Sequence, residues 1–140
     1  MLKNFQVIEV ISFKSKSLMT VYKDKLKFNY QTAQELDFPA HVQLLIDPKG
    51  KCFAIKPCGK DDSNAVSFFN RGKETKPYPI KLSYQVAIEM IFNAMGWDAE
   101  GKYYAVQGQR FPDENAIVYN LADADEYAIT TRKGDGDNDD

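Results

Sequence analysis

The apolar residues of this chain follow two periods, which predict many short strands and two helices. Alternating or β-branched apolar runs are typical of strands, whereas apolar residues every three or four positions are typical of amphipathic helices. Residues 12–17 are a polar, lysine-rich break between two such runs. We predict strands over residues 5–13, 18–23, 26–29, 42–46, 52–55, 65–69, 80–82, 103–111, 116–120 and 127–131.

The helices are predicted over residues 30–37 and 83–95. Asn29 precedes the first helix as a suitable N-cap, and Pro39 ends it because proline disfavours helix at the preceding residue. The second helix has a wide apolar stripe that Val86 and Met90 widen further, so we expect it to be largely buried. Gly96 marks its end.

Two segments of eleven residues resemble each other, which predicts an internal repeat. Residues 26–36 and 80–90 share five identical positions, and Asn29 and Ser83 are both N-capping types. A hairpin-like stretch follows each segment, over residues 42–55 and 103–120. The identical pairs are Lys27/Lys81, Tyr30/Tyr84, Gln31/Gln85, Ala33/Ala87 and Glu35/Glu89.

These features predict a β-rich α+β fold built from a duplicated strand–helix–hairpin unit. The first unit, with a leading strand, is expected over residues 1–69 and the second, more divergent one over 80–132. Residues 70–79 contain Gly72, Pro77 and Pro79 and form the predicted connector. Residues 133–140 are rich in aspartate and lack apolar side chains, so we expect a disordered acidic tail.

The strand–helix–hairpin unit resembles the AbrB-like (SpoVT-type) swapped-hairpin family. The residues that carry the resemblance are 26–29, 30–38 and 42–56, with a weaker match over 80–120. The resemblance implies a small barrel in which two units interlock, here as a pseudo-dimer within one chain. It also implies a transcription regulator, bacterial or phage, that binds DNA through basic side chains near the helix. The family's arginine-rich strand is absent, so lysine–phosphate contacts fit this chain better than base readout.

The formal net charge of −2 conceals a division of the chain. Residues 1–60 carry ten lysines against five acidic side chains, whereas residues 61–140 carry 8 basic and 15 acidic side chains. A basic face for phosphate is therefore compatible with the slightly acidic total. The same lysines also fit solvated strand faces, and the acidic half or tail fits a protein partner. The predicted DNA-binding residues are Lys14, Lys16, Lys23, Lys25, Lys27 and Lys81.

Other chemistry is weakly represented, and we expect a non-enzymatic protein without metal or cofactor. The single histidine, His41, has no accompanying nucleophile motif, and the spacing of Cys52 and Cys58 favours ordinary buried thiols. The aspartates of the tail lack the glycine and glutamate of a calcium loop. No apolar run approaches membrane-spanning length and no signal-peptide order is present, so we expect a cytoplasmic protein. Its predicted oligomeric state is a monomer or a homodimer. Four aromatic residues fit either nucleobase stacking or the core, with the core favoured: Trp97, Tyr103, Tyr104 and Phe111.

Overall fold

The computed structural model describes residues 13–70, 77–98 and 100–129. Nine strands, two α-helices and one short 3-10 helix, Leu121–Asp123, lie within these ranges. The helices are α1 (Tyr30–Glu35) and α2 (Gln85–Met95). The strands are β1 (Phe13–Val21), β2 (Leu26–Phe28), β3 (His41–Asp47), β4 (Cys52–Pro57), β5 (Val66–Ser67), β6 (Ile80–Leu82), β7 (Lys102–Phe111), β8 (Ala116–Asn120) and β9 (Asp125–Ala128).

The nine strands form one curled, antiparallel sheet, so the chain has a β-rich α+β fold as predicted. Their order is β5-β3-β4-β8-β7-β1-β2-β6, and β9 pairs with the first half of β7. The predicted hairpins β1–β2, β3–β4 and β7–β8 are all present. Strands β1 and β7 are the longest, and they join the two sides of the sheet.

The two similar segments lie side by side in the sheet. Strand β2 pairs with β6 in antiparallel register, with Lys27 opposite Lys81. Strand β4 pairs with β8, strand β1 with β7, and strand β3 with β5. Buried residues from both halves of the chain, such as Phe28, Ile55, Ile88 and Tyr119, belong to one hydrophobic core.

The prediction of a break over residues 12–17 is wrong, because β1 runs from Phe13 through this stretch. Its polarity is misleading, since Ser15 and Ser17 are buried and hydrogen-bonded rather than solvated. The pairing of β1 with β7 is nevertheless irregular between Lys14 and Leu18, where the register shifts. A β-bulge of this kind bends a strand without ending it.

The prediction that α2 is largely buried is also wrong. Ile88 and Ile91 are buried, but Val86 is 71% exposed and Met90 is 43% exposed. The core contacts only one stripe of this helix, and Val86 and Met90 lie outside that stripe. Its N-cap is Tyr84 rather than Ser83, and Gly96 ends it in a left-handed conformation with φ of 65°, as predicted.

Three predicted segments lie wholly or largely outside the described residues. They are the leading strand before Phe13, the central part of the connector over residues 71–76, and the acidic tail. The division of the chain into two units therefore stays a prediction.

Gly108 lies where β7 changes partners, and its lack of a side chain permits close packing. Strand β7 pairs with β9 through residues 102–105 and with β8 through residues 108–111. A Cβ atom at Gly108 would lie 2.5 Å from Ile117 Cγ2 and 2.9 Å from Tyr119 Cε2, both of which are buried. Strand β7 is continuous through Gly108, and there is no room there for a methyl group.

We expect Gly108→Ala to lower the free energy of unfolding by about 1–3 kcal/mol, because the methyl group overpacks the core. Gly59→Ala is the control, since a Cβ there meets only Asp62 Oδ2, at 3.5 Å. Urea denaturation followed by circular dichroism measures both changes. Equal stability of the two variants would show that the core beside Gly108 can accommodate the added methyl group.

Candidate nucleic-acid interface

The outer face of the sheet carries a row of side chains that ends in two lysines. Paired residues in an antiparallel sheet project to the same face. Thr20 of β1 is paired with Ala105 of β7 on one side and with Lys27 of β2 on the other, and Lys27 is paired with Lys81 of β6. We call Lys27 and Lys81 the lysine pair.

Burial of the neighbouring residues fixes the outward direction of the lysine pair. Leu26 and Phe28 flank Lys27, Ile80 and Leu82 flank Lys81, and all four flanking residues are buried in the core. Alternation along a strand therefore sends both lysines to the opposite face. Neither ammonium group is in an ion pair with another described residue.

A second row, one pleat along the strands, consists of stacked tyrosines. The ring centroids of Tyr22 and Tyr103 are 5.0 Å apart with an interplanar angle of 18°. Those of Tyr103 and Tyr127 are 5.3 Å apart with an angle of 21°. The Nζ atom of Lys25 lies 4.4 Å from the Tyr22 centroid, a cation–π contact. We call Tyr22, Tyr103 and Tyr127 the tyrosine row.

The register places the tyrosine row on the same face as the lysine pair. Tyr22 directly follows β1, two residues after Thr20, and Tyr103 and Ala105 are two residues apart in β7, so each pair shares a face. Tyr103 is directly paired with Tyr127. Aromatic and cationic side chains therefore occupy adjacent rows of one surface.

Three of the six predicted lysines come together on this face, and the other three do not. Lys25, Lys27 and Lys81 belong to it. Lys16 is exposed within the irregular part of β1, and Lys23 is exposed in the β1–β2 turn, where its carbonyl accepts a hydrogen bond from Gln85. Lys14 lies opposite Gln109 in the ladder, and its side chain is outside the described part of the chain.

Side chains from α1 hold β1 where its ladder with β7 is irregular. The carboxylate of Glu35 accepts hydrogen bonds from the Lys16 amide at 2.8 Å and from Ser17 Oγ at 2.9 Å. Asn29 Oδ1 accepts from the Leu18 amide at 3.0 Å, and Asn29 Nδ2 donates to the Lys16 carbonyl at 3.0 Å. Asn29 is thus the predicted N-cap by position, but its side chain binds β1 and Thr32 Oγ1 rather than a helix amide.

Two groups among the described residues have perturbed pKa values. Burial raises the pKa of the Tyr119 phenol well above its usual range, against a small opposing effect of the Thr32 and Ser17 hydroxyls. That phenol oxygen is buried without a hydrogen bond to any described residue. Burial, and then the Asp62 carboxylate, raise the pKa of the Cys58 thiol, which disfavours the nucleophilic thiolate.

The other candidates from the sequence are distributed around the sheet. Cys52 and Cys58 are free thiols and only half-buried, so the prediction that they are buried is wrong. His41 is half-buried in β3 beside a cavity of about 330 Å³ that Phe38, Ser67 and Phe69 also line. Within the described ranges, no three metal-ligating side chains cluster, and neither helix is long and apolar enough to cross a membrane.

Comparisons with protein-family models, with curated proteins and with solved structures find no match for this chain. The geometry of the outer face must therefore support any functional argument on its own.

The sequence pattern does not identify Tyr22 or Tyr127 as site residues, and it favours the core for Tyr103. The rings of Trp97 and Tyr104 do stack beside the core, as expected, with their centroids 4.0 Å apart. Tyr103 is instead half-exposed on the outer face. Alternation along the strand could have indicated this exposure. Tyr103 and the buried Tyr104 are consecutive in a strand, so their side chains project to opposite faces.

We expect Glu35→Gln to lower the free energy of unfolding by about 1–3 kcal/mol, because an amide nitrogen would replace one of two accepting oxygens. Gln34→Ala, at an exposed position of the same helix, is the control. Urea denaturation measures both. A change below about 0.5 kcal/mol for Glu35→Gln would mean that β1 does not depend on this carboxylate.

Proposed function

We propose that this chain is a non-enzymatic DNA-binding module that contacts phosphates through the outer face of its sheet. The lysine pair is the observation that carries the proposal. Like charges directly opposite each other in an antiparallel ladder destabilise it. A phosphate bound between Lys27 and Lys81 would relieve that repulsion, so the arrangement favours an anionic ligand.

The charge distribution along the row supports contact at one end. Lys81 and Lys27 occupy the β6 and β2 positions, and Asp125 occupies the β9 position beyond Thr20 and Ala105. A phosphate backbone would therefore lie over β2 and β6, with Lys25 beside it. Lysine contacts of this kind position a nucleic acid without reading its sequence.

We further propose that the two similar segments are copies of one interlocked unit, as in the AbrB-like swapped-hairpin family. The pairings of strands support this reading, because β2–β6 and β4–β8 join equivalent elements and β1–β7 and β3–β5 are reciprocal exchanges. Lys27 and Lys81, equivalent in the repeat, would then lie on the pseudo-two-fold axis. Such a chain would act as a monomeric regulator in the cytoplasm of a bacterium or a phage-infected cell.

A protein-interaction or assembly module is the second candidate, and α2 favours it. Val86, Met90 and Tyr84 are 71%, 43% and 43% exposed along this helix. A protein partner that covers them would be lost on Val86→Asp, whereas DNA binding would be unchanged. The acidic tail, the other predicted contact for a protein, lies outside the described residues.

We expect Lys27→Gln with Lys81→Gln to weaken binding to duplex DNA. If each lysine neutralises one phosphate, the slope of log K against log salt concentration should become shallower by about 0.9 per lysine. The single variant Lys27→Gln should not lower the free energy of unfolding, because it removes a like-charge contact. Fluorescence anisotropy across a salt series and urea denaturation measure the two effects.

Lys56→Gln is the matched control, because Lys56 is also an exposed strand lysine but lies on β4 opposite Gln43. It should retain the full salt slope. The proposal fails if the native chain binds no DNA at low salt, or if the control weakens binding as much as the double variant.

A further inference from the structure

Accepting the proposed DNA-binding function on which this step rests, we infer that the outer face binds single-stranded nucleic acid more tightly than double-stranded nucleic acid. Unpaired bases stack against the tyrosine row at Tyr127, and phosphates contact Lys25 and the lysine pair. The inference concerns the form of the ligand and assigns a role to three tyrosines.

The tyrosine row is a continuous aromatic stack with one closed and one open end. Its centroid spacings of 5.0 and 5.3 Å and small interplanar angles are those of offset stacking. Lys25 covers the Tyr22 end. Tyr127 is 45% exposed on β9, and Tyr103 is the only aromatic ring of the described residues that stacks on it. A planar group that stacks on Tyr127 would extend the row.

An unpaired base fits this position better than a duplex does. In a duplex the bases stack on each other and offer only their edges in the grooves, so a row of rings on a sheet would face sugars and phosphates. A single strand has free base faces, and every base has one, which makes stacking tolerant of sequence. The chain contains only three arginines, which is consistent with such sequence-independent contacts.

The charges on the face orient the strand. From β9 to β6 there are four strand spacings, which correspond to about 19 Å. Asp125 lies in the row next to Tyr127 and disfavours phosphate there, whereas Lys27 and Lys81 favour it at the other end. The bound strand would thus cross the sheet, with a base over β9 and its backbone over β2 and β6.

The test measures fluorescence anisotropy with three probes of equal length, about 12 nucleotides each. They are an oligothymidine strand, a duplex, and an abasic strand that retains the phosphates without bases. The variants are Tyr127→Ala and Tyr127→Phe, and the control is Tyr84→Ala, which removes a similarly exposed tyrosine from α2.

We expect the oligothymidine strand to bind more tightly than the duplex. Tyr127→Ala should weaken that binding by about fivefold to a hundredfold, the usual cost of one lost stacking contact, and should leave abasic binding unchanged. Tyr127→Phe and Tyr84→Ala should bind as the native chain does. Circular dichroism confirms that each variant is folded.

The outcomes separate this inference from the proposed function. If the duplex binds as tightly as the single strand and Tyr127→Ala changes nothing, the inference is overturned while DNA binding stands. Equal weakening of abasic and oligothymidine binding would also overturn it, because the tyrosine would not act through bases. If none of the three probes binds at low salt, the proposed function itself fails.

Discussion

The arrangement of the outer face depends on how β1 satisfies its backbone where its register with β7 shifts. Backbone N–H groups at a bulge lose their ladder partners, and leaving such a donor unsatisfied within a protein is costly. Glu35 and Asn29, at the two ends of α1, supply the missing acceptors. The carboxylate and the amide thereby fix a six-residue helix against the strand, although so short a helix has little stability of its own.

The position of β1 affects the outer face because β1 lies between β7 and β2 in the sheet. Thr20 pairs with a residue on each side, and Tyr22, which directly follows β1, lies between Lys25 and Tyr103. These neighbours bring cationic and aromatic side chains into adjacent rows. A shift of β1 by one residue would reverse the faces of its side chains and separate Tyr22 from Tyr103. The contacts of α1 with β1 are therefore structural conditions for the candidate interface, although α1 itself presents none of its residues to the proposed ligand.

Local chemistry made much of the fold predictable, and non-local contacts explain what was missed. The turns at residues 24–25, 47–50 and 112–115 predict three hairpins, which are present, and the similar segments relate Lys27 to Lys81, which the sheet pairs. The serines of β1 look solvated in the sequence because their partners are distant along the chain. Ser17 donates to Glu35, 18 residues away, and Ser15 donates to the Gly108 carbonyl, 93 residues away. The spacing of Val86 fits a buried apolar stripe, but the spacing does not show whether another element packs against that face of the helix. The tyrosine row likewise needs β9 beside β7, which no local pattern indicates.

The two proposed copies differ where function would require a difference. Glu89 is the repeat equivalent of Glu35, yet it is exposed, and the strand equivalent to the nine-residue β1 is the two-residue β5. Within the described residues, a long strand of this kind is present on one side only, and it brings Tyr22 beside Tyr103. A pseudo-two-fold arrangement alone would give the lysine pair on its axis and nothing more. In the proposed duplicated arrangement, the aromatic surface lies where the two copies differ, whereas both copies contribute to the shared core.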